Sequence, residues 1–220
     1  AGLELVAACA AAFLPESLPA NQRRVYRSSL DRTKILEPLR ALIQNQGGAL
    51  PKLAAVRFFR NLSANGTLTV ISFFLASLGH FSDADFGELF AIVGLGGIIG
   101  QVFVLQLFLR LGCSEHVMLL VAISFGMLQM IGFLIIPSYP WKSVIFANVM
   151  LDAVTSIGNP AFSALVVKER STDVGLMLGV FASVDGLTSF IAPLLFSSLF
   201  SVDPRLPFAV ALASNAIAFV

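Results

Sequence analysis

The chain has 220 residues, of which 57% are hydrophobic and only 12% charged, with a formal net charge of +1. Soluble domains carry about 25% charged residues, and too few polar residues remain here to cover a water-facing surface. This excludes an ordinary soluble domain, and the near-neutral balance gives no footprint for nucleic acid.

The chain opens in an apolar run at 1–14, which has no basic flank before it and so reads as the cut end of a spanning helix rather than a signal peptide. A polar stretch at 15–60 comes next, starting Pro15-Glu16-Ser17-Leu18-Pro19. Within it, Ile35, Leu39 and Ile43 recur at helical spacing, so Asp31 to Gln46 reads as an amphipathic helix interrupted by Pro38. Five further apolar segments, roughly 61–81, 86–110, 116–137, 143–167 and 174–200, are long enough to cross about 30 Å of hydrocarbon. A last one, 206–220, is cut at its end. None alternates at period two, so the spans are helices rather than barrel strands. The reading is an all-α, multi-pass membrane protein with 15–60 as a central loop and 61–220 as a transmembrane bundle.

Lys and Arg orient it. Nine lie in 15–60, including Lys52, Arg57 and Arg60, and Arg110, Lys168 and Arg170 fall on the same side. Lys142 and Arg205 fall on the other, beside the acidic Asp83 and Asp85. The positive-inside rule therefore makes 15–60 cytoplasmic. Two sequons, Asn61-Leu62-Ser63 and Asn65-Gly66-Thr67, then sit at the cytoplasmic mouth of a helix and read as chance matches.

Polar residues inside the spans carry the functional information, because ionisable groups in hydrocarbon are costly and face a cavity or one another. Asn148, Asp152, Thr155 and Asn159 stand at i, i+4, i+7 and i+11, on one helix face. They line a cavity or bond neighbouring helices. Asp152 lies about 14 Å into its helix. Asp185 reaches a similar depth in the next one; desolvation favours a neutral carboxyl, so it is a candidate proton carrier, or else a permanently protonated or paired group. Glu4 is a third candidate. Gln101, with Gln106, lies on a helix that also holds Gly96 and Gly100, a GxxxG packing pair rather than a dinucleotide loop. Gly175, Gly179 and Gly186 form another small-residue stripe, and Pro160 and Pro193 mark expected kinks. No nucleophile–base arrangement, metal-ligand spacing or nucleotide motif appears, so neither an enzyme nor a cofactor is expected.

The order of these features resembles helices six to twelve of a twelve-helix major facilitator protein. Phe13-Leu14-Pro15-Glu16-Ser17-Leu18-Pro19 is similar to the sequence after helix six there, and Leu109-Arg110-Leu111-Gly112 resembles the basic turn between helices eight and nine. Asn159 to Val166 and Gly186 to Phe196 resemble the helix-ten and helix-eleven segments of the tetracycline-efflux and hippocampus-abundant-transcript-like group. Ala192 replaces a glycine of that group, and Asp185 stands where it usually has a neutral or basic residue, so no role carries over to Asp185. The resemblance implies a C-terminal six-helix bundle, an N-terminal six-helix half as partner, a small-molecule substrate between the halves, and alternating access. Proton-coupled export is typical of the group. A non-transporting receptor or trafficking adaptor of the same fold is the alternative.

Overall fold

The computed structural model describes residues 49–79, 81–138, 141–169 and 174–219. Six helices run through them: α1 (Ala49–Ser77), α2 (Asp83–Arg110), α3 (Glu115–Ile135), α4 (Lys142–Glu169), α5 (Val174–Val202) and α6 (Leu206–Phe219). Among the described residues there is no strand. Four of the helices, α2 to α5 (α5 counted from Met177), are long and apolar enough to cross a membrane. The chain is thus an all-α bundle of membrane-spanning helices. The expected helix end at 1–14, with Glu4, and the amphipathic segment at 31–46 lie outside the described residues.

One boundary differs from the sequence reading. The helix expected at 61–81 starts at Ala49, so three cations assigned to the loop, Lys52, Arg57 and Arg60, belong to α1. The extension is held by apolar packing. Leu50 and Leu53, one turn apart, are buried against Met118, Leu119, Phe162 and Leu165, and Pro51 falls in the first turn, where its missing N–H costs no intrahelical bond. The more polar α1 is not among the four apolar spans, although its 29 residues make it about 44 Å long.

The short connections are fixed by local chemistry. Ser82 caps α2 in a reciprocal box with Asp85, and Ser114 caps α3 by accepting from the Val117 N–H. At the end of α2, Gly112 takes φ +68°, a conformation that a Cβ would strain. Its N–H donates to the Leu109 carbonyl and the Cys113 N–H to that of Phe108, which closes the helix behind Arg110.

The helices pack as α1 against α5 and α6, α3 against α4 and α6, and α2 against α4. The buried side chains fall into two groups. One holds Phe74, Phe133, Phe196 and Phe208. The other holds Met118, Ile157, Phe162 and Phe181. Along α1 the second group takes Leu50 and Leu53 and the first takes Leu62 to Leu75; along α5 the second takes Met177 and Phe181 and the first Ala192 and Phe196. Between them, on α1, α3, α4 and α5, lies a polar layer.

α4 is broken within this layer. It runs as Lys142–Met150, Asp152–Thr155 and Gly158–Glu169, with turns at Leu151 and at Ser156 and Ile157. Pro160 accounts for the second break, since its ring displaces the carbonyl four residues back, that of Ser156. Pro193 leaves α5 continuous. α2 widens to a π-helical stretch over Gly100–Val104 where it crosses α4. Gly96 and Gly100 are both buried there against Ala153. Gly175, Gly179 and Gly186 differ: a Cβ on any of them meets nothing among the described residues.

A Cβ at Gly100 would collide with the Ala153 carbonyl and the Ser156 hydroxyl, whereas one at Gly97 would meet open space. Gly100→Ala should therefore destabilise the purified protein by about 1–3 kcal/mol. Gly97→Ala should be neutral or stabilising by about 0.5–1 kcal/mol through helix propensity. Thermal melting in detergent checks the contrast.

Candidate functional site

The polar layer is organised by two arginines one turn apart on α1, Arg57 and Arg60. Arg57 donates Nε to Asp185 Oδ1 at 2.8 Å and Nη2 to Asp185 Oδ2 at 2.6 Å, a two-pronged ion pair joining α1 to α5. Asn61, one turn on, donates its amide to the same carboxylate. The remaining Arg57 terminal nitrogen, Nη1, donates to Asn159 Oδ1 on α4 at 3.0 Å, and the guanidinium carbon lies 5.0 Å from the centroid of the Phe162 ring. The Arg57 side chain is 17% exposed and that of Asp185 33%. Fork-on-carboxylate geometry is the arrangement that best offsets removing both charges from water.

Arg60 reaches different partners. Its Nη1 donates to Asn159 Oδ1 at 2.7 Å and its Nη2 to the Thr155 carbonyl at 2.9 Å. The Thr155 carbonyl is free because α4 is broken at Ser156 and Ile157. Gly158 supplies the room: a Cβ there would stand 2.8 Å from Arg60 Nη2 and 2.9 Å from the Ala122 Cβ. The Thr155 hydroxyl donates to Asp152 Oδ1 at 2.6 Å. A chain of contacts thus runs from Asp185 through Arg57, Asn159, Arg60 and Thr155 to Asp152.

Arg60, Asp152 and Thr155 are on the wall of a cavity of about 280 Å³ between α1, α2, α3, α4 and α6. Ser63, Asn65, Gln129 and Asn215 add polar groups, and Ile71, Val93, Met130 and Phe133 make an apolar wall. Asn215 also donates to the Ser63 hydroxyl at 2.9 Å, tying α6 to α1. Among the described residues no cluster of three or more His, Cys, Asp or Glu side chains is placed to hold a metal.

The stripe on α4 is divided by this geometry. Asp152 and Thr155 line the cavity and Asn159 accepts from both arginines. Asn148 turns to α3, is buried, and donates to the Gln129 carbonyl at 3.1 Å. Asp185 is the carboxylate of an ion pair. Gln101 is exposed and is not among the residues lining the cavity. Both sequon asparagines lie inside α1: Asn61 is bonded to Asp185, and Asn65 to the Ser189 hydroxyl at 3.2 Å. Arg57 and Arg60, which sequence reasoning counted as loop charges, are the residues it missed. The signal available was their i, i+3 spacing, with Asn61 and Asn65 at the next two turns of one face.

The fold and this polar layer define a polytopic α-helical membrane protein with ionisable groups inside its bundle. No family model matches the chain. It is similar to the mouse and the human "Hippocampus abundant transcript 1 protein", at 27% identity over 193 residues in each case, covering 86% of this chain and 38% of theirs. It is also similar to the human "Hippocampus abundant transcript-like protein 1", at 27% identity over 191 residues, 85% of this chain and 37% of that protein. The chain thus spans well under half the length of these curated relatives.

Because Asp185 is one-third exposed, neutralising one partner of its pair should cost about 1–3 kcal/mol, less than the ~3–5 of a fully buried pair. Arg57→Gln and Asp185→Asn should each lower the melting point, and the double variant should be more stable than the two single losses add up to. Additive losses in the double-mutant cycle would mean that the two charges do not support each other.

Proposed function

We propose that the chain is the C-terminal bundle of a secondary transporter of the major facilitator type, which moves a small solute by alternating access without catalysing a reaction. The observation that carries this reading is the convergence of four ionisable side chains, Arg57, Arg60, Asp152 and Asp185, from three helices into the polar layer of an apolar bundle. Charges in that position are costly to maintain and mark solute or proton paths in membrane proteins. The all-helical bundle and the relationship to the hippocampus abundant transcript proteins agree with the same superfamily.

In this reading the cavity beside Asp152 takes the solute, and the breaks in α4 and the π-helical stretch of α2 let that region bend, as discontinuous helices do in transporters. Asp152 is the better candidate for proton coupling, because Asp185 is engaged by Arg57. The N-terminal half that would complete the cavity, and the bilayer, are the partners. The stretch before α1 is cytoplasmic, from its cations.

Flux through the intact protein in proteoliposomes, screened over small solutes with and without an imposed pH gradient, tests this. A gradient-dependent flux should fall about tenfold or more in Asp152→Asn, with membrane insertion unchanged. Flux in that variant equal to wild type across pH would remove Asp152 from the mechanism. Absence of flux for every solute would favour a non-transporting receptor or adaptor of the same fold.

A further inference from the structure

The two arginines of α1 are held in unlike ways. Arg57 is matched by a carboxylate that takes two of its nitrogens. Arg60 is held only by neutral acceptors, the Asn159 side-chain oxygen and the Thr155 carbonyl, and among the described residues it forms no ion pair. A guanidinium has five N–H donors, and these contacts engage two. Its nitrogens therefore keep donors to spare on the wall of the cavity.

A purely structural arginine in this position would be expected to close on Asp152, which lines the same cavity. Thr155 stands between them instead. Its carbonyl takes Arg60 while its hydroxyl takes Asp152. Neutral acceptors fix the direction of a guanidinium without neutralising it, leaving a preset cationic fork that suits a carboxylate. Ile71, Val93, Met130 and Phe133 line the same cavity with apolar side chains. At about 280 Å³ the cavity is at the small end for ligand pockets.

We propose that this cavity takes a small amphipathic organic acid, a monocarboxylate whose anionic group docks on Arg60 and whose hydrocarbon body lies against the apolar wall. The proposal names the substrate class of the transport reading and rests on that reading for every step after binding, but the binding site is testable by itself. Asp152 opposes the ligand's charge, so its neutralisation should strengthen binding.

The test is equilibrium binding of labelled benzoate to the purified intact protein, competed by benzamide and by benzylamine. Benzoate should bind at least about tenfold tighter than either competitor, and Arg60→Gln should lose on the order of tenfold or more of that affinity. Asp152→Asn should bind benzoate severalfold tighter, a gain that misfolding cannot produce. Equal binding of the three compounds, no benzoate binding by the folded wild type, or wild-type affinity in Arg60→Gln would each overturn the proposal. Flux of an uncharged solute by a protein that ignores benzoate would sink this assignment and leave the transport reading standing. Benzoate binding without flux of any solute would keep the site and remove the transport reading.

Discussion

The polar layer of this bundle is arranged around the ion pair of Arg57 with Asp185. An isolated guanidinium or carboxylate between apolar helices is costly, and the two charges are tolerable because they meet as fork and carboxylate at 2.6 and 2.8 Å. The pair fixes the register of α1 against α5. Asn61 and Asn65 continue the same face toward Asp185 and Ser189, while Asn159 ties the face to α4. The two apolar cores above and below keep this layer at one level.

The second dependence is on the irregularity of α4. A regular helix would keep the Thr155 carbonyl for its own ladder, and the turn at Ser156 and Ile157 releases it to Arg60. Pro160 produces that turn and Gly158 makes room for the guanidinium. Facing the other side of the same stretch, Ala153 and Ser156 press against Gly100, where α2 widens into its π turn. One short segment of α4 thus sets both part of the cavity wall and the crossing with α2. A bundle that must change shape gains from irregularity at the level of its polar residues, because those breaks need the least additional unmaking of backbone bonds.

Much of this was legible in the sequence. Length and hydropathy alone place α2 to α6 within a few residues, since the thickness of the bilayer sets the length of a span. Asp152 and Asp185 stand out as carboxylates in apolar surroundings, and Gly96 with Gly100 reads as a packing pair. Arg57 and Arg60 were obscured by their setting. They come after a run of loop cations and precede the apolar part of α1, so a hydropathy boundary assigns them to water. The helix in fact begins three turns earlier, held by Leu50 and Leu53, and carries both arginines to Asp185 and Asn159. Of the two roles the sequence leaves open for the α4 stripe, cavity lining and bonding between helices, Asn148 takes the second, donating to Gln129 on α3. Periodicity assumes a regular helix, and that assumption fails at Leu151 and at Ser156 and Ile157, in the middle of the stripe.

If the cavity lined by Arg60, Asp152 and Thr155 takes a solute, water must reach it, which a sealed packing contact would not allow. With Cys9 and Cys113 replaced by serine, single cysteines at Ala64→Cys, on the cavity wall, and at Phe103→Cys, on the outer face of α2, can be challenged with a water-soluble thiol reagent in proteoliposomes. Rapid labelling at position 64 and protection at position 103 are the expected result, with a slower rate at 64 when benzoate is added. An inert cysteine at 64, or labelling there no faster than at 103, would contradict it.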